Sequence, residues 1–206
     1  VIKLLAGYEM PDGGNVLMDG KSISRPGPDR IVVFQETALL PWKTLMKNTI
    51  FGPVIQHKLT LDEATRKARI LISKSGLAGF ENKYPHQLSG GMQTRAELIR
   101  ALINEPRVML MDEPLRGLDA MTRQIMQEYV IKMYEETGTT ILFITTEIDE
   151  AIYLGDIVYF LTARPGRIKH KMYVDLPRPR TYHILTSNEF FKFRAEAIRL
   201  VMGEGK

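Results

Sequence analysis

Apolar positions in this chain fall into two patterns. Ile31-Val32-Val33-Phe34, Val108-Met109-Leu110-Met111 and residues 139–145 are short apolar runs, which suit strands buried on both faces. Ile157-Val158-Tyr159-Phe160-Leu161 predicts another strand, and a turn over 162–167 leads into one over 168–174. Elsewhere the spacing is helical. Met92, Ala96, Leu98, Ile99, Ala101 and Leu102 share a stripe that stops before Pro106. A second helix carries Ala64, Ala68, Leu71 and Ile72; Thr60 and Glu63 form its capping box and Gly76 ends it. A third, capped by Asp119, runs from Ala120 to Thr137 and closes at Gly138, with Met121, Ile125, Met126, Tyr129, Val130 and Met133 as its core face. Ser187 caps a last amphipathic helix with Phe190, Ala197, Ile198 and Val201.

Two places in this pattern carry chemistry. Ser89 precedes Gly90 and Gly91 at the start of the 92–102 stripe, so its hydroxyl can cap the helix. The glycines let backbone approach a ligand, and a helix N-terminus with free N–H groups suits a phosphate. The plainer reading is a loop before a core helix. Asp112 and Glu113 directly follow the 108–111 run, at the carboxyl end of a strand, where open α/β sheets bind ligands. In the strand-end Asp plus Glu arrangement of nucleotide hydrolases, Asp112 would hold Mg²⁺, directly or through water, and Glu113 would activate an attacking water. The plainer reading is a solvated acidic turn stopped by Pro114.

Gly20-Lys21-Ser22 looks like the end of a phosphate-binding loop, but Asn15 stands where its first glycine should be. Asp19-Gly20 between apolar stretches instead predicts a β-hairpin turn.

Composition sets bounds. The chain has 206 residues, 44% of them apolar and 25% charged, as in an ordinary globular domain. It lacks Cys, which excludes disulfide and thiol chemistry. No apolar run approaches the roughly 20 residues that cross a bilayer, and no secretory signal opens the sequence. A formal charge of +4 permits but does not demand contact with an anionic surface. The cations Arg164, Arg167, Lys169, Lys171, Arg178 and Arg180 could meet lipid head groups or form a solvated face.

Taken together, these residues resemble the ATP-binding subunit of an ABC transporter. Leu88-Ser89-Gly90-Gly91-Met92 is similar to the family's signature motif, Val108 to Pro114 to its Walker B, Gly117-Leu118-Asp119 to the D-loop and Phe34-Gln35 to the end of the Q-loop strand. The order and spacing are the family's, over nearly the whole chain. Leu39-Leu40-Pro41-Trp42, Lys83-Tyr84-Pro85-His86-Gln87, Ala163 to Arg167 and Leu176 to Arg180 narrow the resemblance to nitrate, sulfonate, taurine and bicarbonate importers.

The resemblance implies an α/β fold: a P-loop NTPase core with a mostly parallel sheet and an inserted helical subdomain. It places core parts at 1–40 and 106–183, the helical subdomain at 41–105 and a C-terminal helix at 184–206. It implies ATP and Mg²⁺, with Asp112 and Gln35 toward the metal, and Glu113 and Gln35 toward the attacking water. Leu88 to Met92 would bind ATP held by a second subunit in a head-to-tail dimer, and Asp119 would reach across that dimer. Permease subunits, and through them a substrate-binding protein, would be partners at the cytoplasmic face of the membrane. A rival ABC ATPase acting on nucleic acid would show two ATPase domains, a coiled-coil insertion or a strongly basic arm, and none is present. Leu39 to Trp42 reads equally as a partner patch or as the buried start of the helical subdomain, and His86 as a loop residue or partner contact.

The sequence departs from the family in three respects. Val1 to Gly7 resembles the helix that follows Walker A, so the chain reads as starting after that motif, without the first strands, and its activity alone is in doubt. Thr146 stands where the switch His is expected. A hydroxyl donates one hydrogen bond, carries no imidazole charge and reaches less far, so slower hydrolysis follows. A degenerate, non-hydrolysing subunit is the alternative. Gln93-Thr94-Arg95 replaces Arg-Gln-Arg after the signature, and Glu97 takes a small apolar position, from which it could pair with a neighbouring Arg on the helix surface.

Overall fold

The computed structural model describes residues 1–203. By contacts the chain divides into two units. The first comprises residues 1–126 and 138–142; the second comprises 127–137 and, of the described residues, 143–203.

In the first unit, α1 (Ile2–Ala6) closes on Gly7, whose φ is +79°. A Cβ there would stand 2.6 Å from the Arg25 carbonyl, so only glycine fits this turn. β1 (Leu17–Met18) and β2 (Lys21–Ser22) pair antiparallel. Asp19 and Gly20 both take positive φ, the geometry of a two-residue hairpin turn. The Gly-Lys-Ser tripeptide therefore belongs to a hairpin. Arg107 pairs with Asp19 at its tip.

β3 (Arg30–Val33) runs parallel to β4 (Val108–Asp112), with Arg30 opposite Val108 and Val33 opposite Met111. The sheet order is β3-β4-β5, with β5 at Thr140–Ile144. Only β4 matches the expected double burial: Met109, Leu110 and Met111 are at most 1% exposed. β3 is half-buried up to Val33, which is buried, β5 is half-buried beyond an exposed Thr140, and Phe34 lies past the end of β3, 40% exposed. As the middle strand of three, β4 has a neighbour along each edge.

The helices α2 (Leu45–Ile55), α3 (Leu61–Lys74) and α4 (Gly90–Leu102) lie between β3 and β4 in sequence. The Thr60–Glu63 capping box is formed, and Ala64, Ala68 and Ile72 line the buried stripe of α3. Asn48 on α2 is 1% exposed; its amide accepts from Leu40 N–H and donates to the carbonyls of Leu40, Lys43 and Thr44. It fixes the turn that leads from β3 into the helices. Within that turn Leu39 is buried, while Trp42 is 70% exposed.

α5 (Ala120–Thr137) differs from its expected face. Met126, Val130, Ile131 and Met133 are buried, but Met121 and Ile125 are 76% and 53% exposed. Met121 and Ile125 form one row four residues apart, rotated away from the row that packs.

In the second unit, α6 (Ile148–Leu154), β6 (Ile157–Leu161), β7 (Ile168–Tyr173) and α7 (Asn188–Met202) share one core. Ile152, Tyr153, Met172, Val174, Leu176 and Phe190 are its centre. Ser187 caps α7 by accepting from Phe190 N–H at 3.1 Å. Val201 is 56% exposed, so the apolar face of α7 ends before its last turn. No helix among the described residues is long and apolar enough to cross a membrane.

The tail cations do not form one surface cluster. Arg180 is buried, with a side chain 1% exposed. It donates to the carbonyls of Ile152, Tyr153, Gly155 and Val174 and to Asp156. Arg178 stacks on Tyr134, 4.6 Å from the ring centroid, and pairs with Asp156 and Glu135. Lys171 sits over the rings of Tyr159 and Tyr173. Arg164 and Arg167 stay exposed on the β6–β7 turn, and Lys169 donates to the Leu200 carbonyl. The stretch that carries Arg178 and Arg180 is thus a clamp. Two guanidiniums supply the donors that carbonyls at the end of α6 need.

Candidate functional site

Ser89 caps α4 as its sequence predicts: its hydroxyl accepts from Met92 N–H at 3.3 Å. Leu88 is buried, Met92 half-buried, and Ser89 and Gly90 are exposed. A Cβ on Gly90 would meet open space, whereas one on Gly91 would collide with the Thr122 methyl. Gly91 is therefore a packing glycine that lets α4 lie against the start of α5. Asp119 caps α5 there, accepting from Thr122 N–H at 3.0 Å. Hydrogen bonds from the Thr122 side chain and backbone hold its carboxyl below the usual carboxylate range. The signature turn and the first turn of α5 thus form one surface.

Asp112 ends β4, half-buried. Glu113 follows with φ +45°, a left-handed conformation that costs a non-glycine residue about 1–3 kcal/mol and clusters at functional sites. Pro114 and Leu115 then turn the chain, and Arg116 N–H donates to the Glu113 carbonyl at 3.1 Å. The same turn brings the Arg116 guanidinium to Glu113 Oε2 at 2.8 Å. The Glu113 side chain is 19% exposed, so its carboxylate is reachable but carries a cation of its own chain.

Among the described residues no group of three or more His, Cys, Asp or Glu could hold a metal alone. Mg²⁺ commonly takes only one or two protein oxygens and completes its shell with water and substrate phosphate. Asp112 is a hard oxygen donor of that kind. Gln35 lies in the bend beyond β3, exposed, where its amide oxygen could be a second.

Thr146 lies in the second unit, exposed in the bend between β5 and α6. Its neighbour Thr145 accepts from Glu147 N–H at 3.0 Å, which shapes that bend. His86 stacks on Tyr84 in the exposed 3-10 turn before Ser89, with ring centroids 5.9 Å apart.

Glu97 is not on the helix surface. It is 7% exposed and does not pair with Arg on the helix surface. Its Oε1 accepts from Ala38 N–H at 2.5 Å. Arg100, one turn on, donates to the Ala38 carbonyl. A carboxylate amid Ala96, Leu98 and Ile99 was the available signal, since an acid within an apolar stripe needs a buried partner. Burial raises the Glu97 pKa, opposed by the Ala38 N–H and by Arg100. A carboxyl whose folded pKa exceeds its unfolded one binds its proton more tightly when folded. Its contribution to stability is greatest below the unfolded value and falls as pH rises through the folded one. Glu97→Gln is expected to remove this slope and to raise the melting temperature at neutral pH relative to wild type; thermal unfolding between about pH 4 and 7 measures it.

The ABC transporter family profile matches residues 1–116. An uncharacterized ABC transporter ATP-binding protein of Methanocaldococcus jannaschii is 44% identical over 204 residues, covering 99% of this chain and 75% of that protein. The nitrate import ATP-binding protein of a Synechocystis strain is 37% identical, covering 98% and 78%. The taurine import ATP-binding protein of Pelagibacter ubique is 43% identical, covering 84% and 64%. Among solved structures, cbiO1 of Clostridium perfringens, part of the transporter complex cbiONQ, superposes with TM-score 0.76 at 24% identity, over 98% of this chain and 81% of that one. The chain belongs to the ABC transporter family, as an ATP-binding subunit of the importer group.

Proposed function

We propose that this protein hydrolyses ATP to drive import of a small anion or sulfonate through a membrane permease to which it binds peripherally. The observation that carries the reading is a strand-end carboxylate pair, Asp112 and Glu113, in a chain whose α4 also presents an open, capped N-terminus at Ser89 and Gly90. Relatives named for nitrate and taurine import support the substrate class.

In the mechanism, Ser89 and the free N–H groups at the start of α4 bind the γ-phosphate of ATP held by a second subunit, as helix N-termini bind anions. Leu88 anchors that turn in the core, and Met92 closes its first hydrogen bond. Asp112 and Gln35 would hold Mg²⁺, which would supply positive charge against the phosphates. Glu113 takes a proton from the attacking water. Catalysis of this transfer rests on positioning and charge neutralisation more than on covalent chemistry. Asp119, with its lowered pKa, stays ionised at the subunit junction. Thr146 donates a single hydrogen bond at the switch position, which slows turnover without weakening nucleotide binding.

Phosphate release by the full-length gene product with MgATP tests both points. Measurable turnover is expected, and Thr146→His is expected to raise kcat several-fold with KM for ATP unchanged. Absence of turnover in wild type and in Thr146→His alike favours a non-hydrolysing subunit instead.

A further inference from the structure

Three side chains of α4 stand at i, i+4 and i+7 on one face and reach the same short segment. Gln93 Oε1 accepts from the Thr37 hydroxyl at 3.3 Å. Glu97 and Arg100 take the N–H and the carbonyl of Ala38. That segment begins two residues after Gln35. The Gln93 amide also donates to the carbonyls of Pro85 and Leu88, at 3.0 and 3.1 Å, in the turn that leads into Ser89. One helix face therefore touches both the backbone beyond Gln35 and the approach to the signature turn.

We propose that Gln93, Glu97 and Arg100 are positioning residues for ATP hydrolysis, locking the segment that carries Gln35 to the helix that begins at Ser89. This rests on the hydrolytic role assigned above. Two of the three are departures from the family's usual residues, and one is a buried carboxylate whose desolvation must be offset by a fixed partner. Ala38 N–H is that partner. The contact is to backbone, so it fixes the path of the chain rather than a side-chain rotamer. Gln35 and Ser89 to Gly91 then shift together when α4 moves.

The test uses the full-length protein with MgATP. Glu97→Ala, which restores a small residue, is expected to lower kcat about tenfold, because misplacing a group by an ångström commonly costs that much or more. KM for ATP is expected to stay within about twofold, since these side chains act on the backbone at Ala38 and are assigned no part in holding nucleotide. Glu97→Gln keeps an acceptor for Ala38 N–H and is expected to recover kcat to within about twofold of wild type. Arg100→Met, which leaves Glu97 in place, is expected to show the same split between kcat and KM and stands in if Glu97→Ala does not fold. Wild-type kcat in Glu97→Ala or in Arg100→Met overturns the proposal, as does a Glu97→Gln enzyme as slow as Glu97→Ala. Each of these results presupposes a wild type that turns over ATP. A wild type without turnover overturns the hydrolytic reading itself.

Discussion

Glu113→Gln is expected to lower ATP turnover of the full-length protein by at least about a hundredfold, the usual loss when a positioned general base is removed. Gln keeps the volume and one acceptor oxygen of Glu113 but cannot take a proton at neutral pH. Binding of MgATP should persist, because Ser89, Gly90 and Asp112 are unchanged. An ATP-dependent dimer should therefore accumulate, visible by size-exclusion chromatography with light scattering. Turnover above about a tenth of wild type would show that Glu113 is not the base. Loss of the dimer would count against nucleotide shared between subunits. The variant also removes the charge that Arg116 now meets at 2.8 Å. That exposed pair contributes at most about 1 kcal/mol, so folding should be little affected.

The second large effect is on stability. Arg180→Ala is expected to destabilise the protein by about 3–5 kcal/mol, as breaking a buried charged network does. Truncation leaves the carbonyls of Ile152, Tyr153, Gly155 and Val174 without their shared donor and deprives Asp156 of one of its two cations. For a chain of this size, that corresponds to a fall in melting temperature of about 10 °C. Arg180→Lys should recover only part of the loss, since an ammonium cannot span four carbonyls as the planar guanidinium does. Circular dichroism on heating measures both variants. A shift below about 2 °C for Arg180→Ala would mean that the carbonyls find other donors. Tyr153, packed in the same core, has its hydroxyl pKa pushed up to about 12, chiefly by burial.

What the sequence made legible is local. Ser89, Thr60 and Ser187 each cap a helix because a hydroxyl bonds an N–H two or three residues on, and such contacts are written in adjacent letters. The Asp19-Gly20 hairpin is legible for the same reason. The acids at the end of β4 follow from an apolar run of strand length. Long-range pairing was harder to read. Glu97 and Ala38 lie 59 positions apart, and nothing near either names the other. Arg180 reads in sequence like the cations around it, because charge alone does not reveal which guanidinium has carbonyls waiting for it. Met121 and Ile125 look like core by spacing, but which row of a helix packs depends on neighbours outside the helix. The left-handed backbone at Glu113 has no compositional marker either, since glycine is what usually announces that conformation.

The clamp around Arg180 has a consequence for how this protein can vary over time. Four of its five acceptors are main-chain oxygens, which every residue type supplies. The residues at 152, 153, 155 and 174 answer to their own packing and owe nothing to the guanidinium. Among the Arg180 contacts, only the one to Asp156 depends on the partner's side chain. Substitutions can accumulate around it without compensating changes, and a search for covarying positions would pass over the most heavily bonded arginine among the described residues.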